Sequence, residues 1–131
     1  MSTADLWLFL PVGYLVTVAF ETPVLLLLLS PRHPARRRLF AGLWLTACTY
    51  PVVVLVLPIL FAGGPRAAYL AVAETFAPAA ECALFWLAFG EKGGRARRAT
   101  WRDFAAITAA NVLSFLAGEV LGAYGWFGLF R

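Results

Sequence analysis

Glu21, Glu74, Glu81 and Glu119 lie within long runs of Leu, Val, Ala and Phe, and they are four of the seven acidic residues in a chain of 131. An acidic side chain at the centre of a bilayer costs about 2.5 to 3.5 kcal/mol on insertion scales, so four of them require a reason. Glu74 and Glu81 are seven apart, two turns on one helix face and about 10 Å apart along its axis. No Arg or Lys is expected inside any apolar run, which leaves no buried base to neutralise these acids. They must be protonated, share protons or bind a cation. The expected layering puts Glu21 and Glu81 nearer one face, with Glu74 and Glu119 in the opposite half.

The other polar residues of these runs fall where a helix would aim them at the acids. At 100° per residue, Thr46, Thr49 and Tyr50 share one face of the second run, and Tyr14, Thr17 and Glu21 share one face of the first. Thr108, Asn111, Ser114, Gly118, Glu119 and Gly122 fall within about 140° of arc on the fourth. The expected ion- or substrate-binding set is therefore Glu21, Glu74, Glu81, Glu119, Asn111, Thr46, Thr49 and Ser114. Hydroxyls and Asn also link helices without binding anything, whereas ordinary helix association does not require carboxylates. Pro23, Pro51 and Pro78 each remove a backbone donor, freeing the carbonyls of Ala19, Ala47 and Glu74 and predicting kinks. Freed carbonyls beside carboxylates suit hard cations.

Other chemistries lack their residues. His33 is the single histidine and falls in a basic loop, which removes His-based zinc sites and a buried Ser-His triad. No Asp is expected within a span, so a paired intramembrane aspartyl protease is excluded. Cys48 and Cys82 form no CxxC pair, and Cys48 projects away from Thr46, so both read as small apolar residues rather than metal ligands. No cofactor or metal is expected, and neither is an enzyme: the chain offers acids without a nucleophile or metal site.

The elements that position these residues follow from composition. With 62% apolar residues, 14% charged residues and a mean hydropathy of +0.79, the chain falls outside the soluble range. Apolar stretches cover about 6–29, 39–61, 67–89 and 104–124, and each reaches the ~20 residues needed to span a bilayer. An all-α, four-helix transmembrane antiparallel bundle is expected, forming one domain over 1–131. The first connection carries Arg32, Arg36, Arg37 and Arg38, and the third carries Lys92, Arg95, Arg97, Arg98 and Arg102. The second has Arg66 alone. The positive-inside rule then places both termini outside. Trp7, Tyr69, Tyr124 and Trp126 would form the outer aromatic belt and Trp101 an inner anchor. The first span lacks the positive start of a signal peptide and is expected to be retained. A basic pI of about 9.6 reflects juxtamembrane Arg and Lys, whose partners are anionic lipid headgroups rather than nucleic acid.

A repeat runs through the chain. Glu21 is followed eleven residues later by Arg32 and then by Thr46-Ala-Cys-Thr49; Glu81 is followed eleven residues later by Lys92 and then by Asn111-Val-Leu-Ser114. Each half reads as a Glu followed, after a basic loop, by a polar-x-x-hydroxyl step, giving two parallel-repeat hairpins related by an axis along the membrane normal. The Glu with Asn-x-x-Ser and Thr-x-x-Thr-x-Pro resembles a pattern in uncharacterised small four-span prokaryotic membrane proteins. That resemblance implies a multi-pass protein of the prokaryotic cytoplasmic membrane and no activity. In length and span count the chain also resembles small multidrug transporters, but four intramembrane acids differ from the single essential Glu of that family.

The functional expectation is binding or translocation of a proton or small cation through the carboxylate-lined interior. A non-catalytic subunit or assembly factor that docks another membrane protein is the alternative, and transport would favour a homodimer, with Gly118-x-x-x-Gly122 as its seam. The orientation has a direct test. A cysteine at Ser2 reacts with an impermeant thiol reagent in intact cells and one at Gly93 does not; the opposite pattern removes the assignment.

Overall fold

The computed structural model describes residues 3–90 and 94–125. It is all α: α1 (Thr3–Leu28), α2 (Ala35–Pro51), a π-helical turn (Val52–Val56), α3 (Leu57–Leu60), α4 (Arg66–Phe89) and α5 (Gly94–Ala123). With α2, the π turn and α3 forming one continuous rod, the described residues contain four helices long and apolar enough to cross a membrane. By length and composition they belong to an integral, multi-pass membrane protein. The helices form a bundle in which α1 packs against α5 and α2, and α4 against α5 and α2. Leu8, Leu15, Leu27, Ile59, Leu87 and Val120 face outward, as lipid-facing residues should. Lys92 and Trp126 lie outside the described residues.

Prolines set two helix starts. Pro34 and Pro65 sit in extended conformation immediately before Ala35 and Arg66, where a missing N–H costs nothing. Inside the helices their effects differ. Pro11 and Pro23 stand within an unbroken α1 and Pro78 within an unbroken α4, whereas Pro51 immediately precedes the π turn. There the Leu57 N–H bonds the Val52 carbonyl five residues back. Pro58, next in that register, has no N–H for the Val53 carbonyl. The Tyr69 hydroxyl supplies it, donating to Val53 O at 2.9 Å. Tyr69 is thus drawn inward to tie α4 to the second span instead of joining an interfacial belt. Trp7, Trp101 and Tyr124 are exposed.

The fourth helix starts well before the apolar run at 104. Its Arg- and Ala-rich beginning forms helix readily, and the span therefore takes in Asp103, against the expectation that no span contains an Asp. The apolar core, Leu25, Leu29, Ala41, Leu45, Phe85, Ala106, Ile107 and Ala110, fills the end of the bundle nearest Ser30 and Asp103. Close approach of α1 and α2 depends on Gly42: a Cβ there would strike the Thr22 hydroxyl and come within 3.2 Å of its Cα, while one at Gly118 meets nothing within 4 Å. Gly42→Ala should therefore lower stability by about 1 to 3 kcal/mol. Gly118→Ala should leave it unchanged or raise it by up to about 1 kcal/mol. Unfolding of both variants in detergent checks the contrast.

Candidate functional site

Glu21 on α1 and Glu81 on α4 are 2% and 3% exposed, and each carboxylate is held by two donors. Thr46 Oγ1 donates to Glu21 Oε2 at 2.9 Å and Ser114 Oγ to Glu21 Oε1 at 2.6 Å. Thr49 Oγ1 donates to Glu81 Oε1 at 2.6 Å and Asn111 Nδ2 to Glu81 Oε2 at 2.7 Å. The pairs Thr46/Thr49 and Asn111/Ser114 are each one helical turn apart, so α2 and α5 both present two donors on one face.

The pattern has two-fold character. Glu21 takes the first donor of its own half, Thr46, and the second donor of the other half, Ser114. Glu81 likewise takes the first donor of its own half, Asn111, and the second of the other, Thr49. Exchanging Glu21 with Glu81, Thr46 with Asn111 and Thr49 with Ser114 reproduces the network. Six of the eight expected site residues therefore meet in one cluster.

The other two acids stand apart from it. Glu74 is half-buried on α4, and Glu119 pairs with Arg66 through Nη2–Oε1 at 2.8 Å. That ion pair corrects the expectation of acids without a base. Arg66 opens α4 rather than lying in the loop, and its long side chain reaches across to α5. All four glutamates line one cavity of about 590 Å³, together with Phe9, Tyr50, Tyr69, Phe115, Gly118 and Gly122. Gly118 and Gly122 widen this cavity, so the small-residue pair expected at a dimer seam is part of its wall. The cavity reaches the exposed Arg66–Glu119 pair at one end and the buried Glu21–Glu81 pair at the other. Beyond that pair the apolar core closes the bundle over about 10 Å, from seven helical residues at 1.5 Å each between Glu21 and Leu28.

A second polar cluster seals the closed end, and sequence reasoning missed it. Asp103, 1% exposed, accepts from the Ser30 N–H at 2.8 Å through Oδ1 and from Arg32 Nη2 at 2.9 Å through Oδ2. His33 Nε2 lies 2.8 Å from Asp103 Oδ2, and His33 Nδ1 faces Arg37 Nη1 at 3.3 Å. Arg32 Nε and Arg37 Nη1 approach the two ring nitrogens equally, at 3.3 Å, so the shorter 2.8 Å contact to the acceptor-only Asp103 carboxylate assigns the imidazole hydrogen to Nε2. Arg38 donates to the carbonyls of Leu26, Ser30 and His33, and Arg102 to that of Leu28, so arginines satisfy carbonyls left free where α1 ends. Arg32 in the first loop and Arg38 in the first turn of α2, a turn the sequence reading places in that loop, thus fasten this end of the bundle to α5 and α1. His33 also stacks edge-on against Phe85, joining this seal to the core. A buried histidine is not visible to a hydropathy count, and neither is the acid on another helix that holds it.

No family model, curated protein or solved structure matches this chain. The site must be read from its own chemistry. Among the described residues, no group of three or more His, Cys, Asp and Glu is placed to hold a metal ion. Cys48 is exposed on the outer face, and the Cys82 thiol points to the Phe104 carbonyl. The Glu21–Glu81 cluster offers two carboxylates held by three hydroxyls and one amide, all of them neutral, at the blind end of a cavity. Such an arrangement can attract and hold positive charge.

The seal carries a pH dependence. Burial pushes the His33 imidazole below its ordinary 6.5, with Arg32 and Arg37 acting the same way, while the Asp103 hydrogen bond and charge oppose them. The unfolded chain therefore takes up this proton at higher pH than the folded one, and the stabilising contribution is complete above about pH 6.5 and lost as pH falls through it. Wild-type stability should decline below about pH 6.5, and His33→Gln, which keeps a donor toward Asp103, should flatten that decline. Unfolding measured between neutral and mildly acidic pH checks it.

Proposed function

We propose that this chain is a small integral membrane protein that binds a proton or small cation at Glu21 and Glu81 and passes it through the carboxylate-lined interior. The observation that carries the reading is the burial of two carboxylates, answered only by neutral donors, at the closed end of a cavity whose other end is open. Neutral donors stabilise a negative charge without cancelling it, so the pair retains its attraction for a cation. Glu74 lies along the route from mouth to floor, and Glu119 with Arg66 forms the mouth. Evolutionary or structural economy alone does not call for acids here, because hydroxyls and amides suffice to hold helices together.

In this reading the four helices run antiparallel, with both termini and the Arg66–Glu119 mouth outside. The two hairpins form a parallel repeat whose axis passes between Glu21 and Glu81, as the exchange symmetry of their donors supports. The Ser30–Asp103 seal then lies on the cytoplasmic side, beside the exposed Arg36 and the anionic lipid headgroups that its side chain would meet. The host membrane is the prokaryotic cytoplasmic membrane. Transport requires the closed end to open, and a homodimer would supply a second wall for that motion.

Glu81→Gln tests the assignment because it keeps shape and hydrogen bonding while removing the charge. In proteoliposomes with imposed proton, Na⁺, K⁺ and ethylammonium gradients, the wild-type chain should carry one of these ions and Glu81→Gln should abolish that flux. Thermal stability should be equal or higher, since binding sites hold residues unfavourable for stability. Flux unaffected by Glu81→Gln overturns the assignment. Absence of wild-type flux, with a membrane protein that co-purifies and is released by Glu81→Gln, would favour a docking role instead.

A further inference from the structure

Three of the four donors at the glutamate pair have a second acceptor within reach, and two of these three are hydroxyls. Ser114 Oγ lies 2.6 Å from Glu21 Oε1 and 3.0 Å from the Asn111 carbonyl oxygen. Thr49 Oγ1 lies 2.6 Å from Glu81 Oε1 and 3.1 Å from the Leu45 carbonyl oxygen. A hydroxyl has one hydrogen and two lone pairs, so it donates to one of these acceptors at a time. Asn111 Nδ2 differs, because its two hydrogens serve Glu81 Oε2 at 2.7 Å and the Ile107 carbonyl at 3.0 Å together. Thr46 donates to Glu21 Oε2. Each glutamate thus has one fixed donor and one donor that can turn.

That pairing matters when a proton arrives. An ionised carboxylate accepts from both of its donors. A protonated one carries an O–H that itself needs an acceptor, and leaving it unmade in a buried site costs about 1 to 3 kcal/mol. A hydroxyl that has turned its hydrogen to its own helix carbonyl exposes a lone pair to receive that O–H. Back-bonding of Ser or Thr to its own helix is ordinary by itself. Here it occurs at both of the hydroxyls that make the shortest contacts to the carboxylates, and these two are exchanged by the two-fold pattern of the network.

We infer that Ser114 and Thr49 are proton-following hydroxyls: each turns its hydrogen from glutamate to the Asn111 or Leu45 carbonyl when its glutamate is protonated, so that Glu21 and Glu81 exchange protons with every buried polar atom still paired. Ser114 and Thr49 are positioning residues in this scheme. The inference rests on the reading of Glu21 and Glu81 as a proton- or cation-binding pair, and it makes proton and cation rivals for the same oxygens. The proton comes from water in the cavity and returns to it, and only a carboxyl O–H bond forms and breaks. The ionisable groups that face the pair across the cavity are Glu74 and Tyr69 from α4, Tyr50 from α2, and Glu119 from α5 with Arg66 at the mouth.

The chain contains a single asparagine, which gives the test its specificity. Protein synthesised with carbonyl-¹³C asparagine carries one isotope-shifted amide band, that of the Asn111 carbonyl. In liposomes without added cation, infrared titration should show this band moving to lower frequency as the Glu21 carboxyl band appears, with the same midpoint; Glu21→Gln identifies the carboxyl band by removing it. Ser114→Ala should leave the Glu21 carboxyl band titrating while the Asn111 band stays still, and Ser114→Thr should restore its movement. An Asn111 band that is silent while Glu21 protonates overturns the inference, as does a response that survives in Ser114→Ala. A moving band in a protein that carries no ion flux would leave the hydroxyl switch standing and remove the transport reading, while flux with a silent band would do the reverse.

Discussion

Two carboxylates buried in an apolar bundle must be answered by hydrogen bonds from helices that a bilayer would otherwise hold together by packing alone. Glu21 and Glu81 impose this constraint, and the arrangement of the bundle can be followed from it. Each acid takes one donor from α2 and one from α5, so all four spans are fixed to one another within about one helical turn of depth. The one-turn spacing of Thr46 with Thr49 and of Asn111 with Ser114 places these donors at two heights, which lets two acids be served without competing for the same group. Removing one member would leave a buried polar partner unsatisfied, a larger cost than the net worth of the bond.

The two ends of the bundle divide the remaining work. Toward Ser30, apolar side chains form the buried core and the Asp103–His33–Arg32 cluster locks the first loop to α5. Toward Arg66, small residues and a redirected tyrosine leave space. Gly118 and Gly122 present no side chain to the cavity, and the π turn gives Tyr69 a carbonyl to bond. An irregular backbone of this kind is tolerated at membrane depth where protein groups re-satisfy it. The asymmetry gives the glutamate pair one open approach and one closed side, although its own hydrogen bonds are nearly symmetric.

Much of this was legible in the sequence because periodicity carries it. The four spans follow from apolar runs, and the match between Glu21 with Thr46-x-x-Thr49 and Glu81 with Asn111-x-x-Ser114 follows from helical spacing. What escaped depends on side-chain reach and long-range pairing. Asp103 looked like a loop acid because an apolar count stops at Phe104, while helix propensity carries α5 further back. His33 looked solvated because its neighbours are arginines; its burial depends on Asp103, seventy residues away. In the sequence Arg66 is a loop base and Glu119 an acid without a partner, 53 residues apart, and only the packing of α4 on α5 joins them. Tyr69 looked like an interfacial anchor because nothing local announces that Pro58 leaves a carbonyl for it.

While the Ser30–Asp103 end stays shut, the described residues leave the glutamate pair open to approach from the Arg66 end. Gly118 lines the cavity and has room for a side chain, so Gly118→Cys in an otherwise cysteine-free protein places a reporter between mouth and floor. In oriented proteoliposomes, a small impermeant thiol reagent should modify this cysteine from the side bearing the α3–α4 loop and not from the side bearing the α1–α2 loop. Labelling should be one-sided, and slower with added Na⁺, K⁺ or ethylammonium if that ion binds the pair. Labelling from the α1–α2 side, or none from either side, would contradict the account.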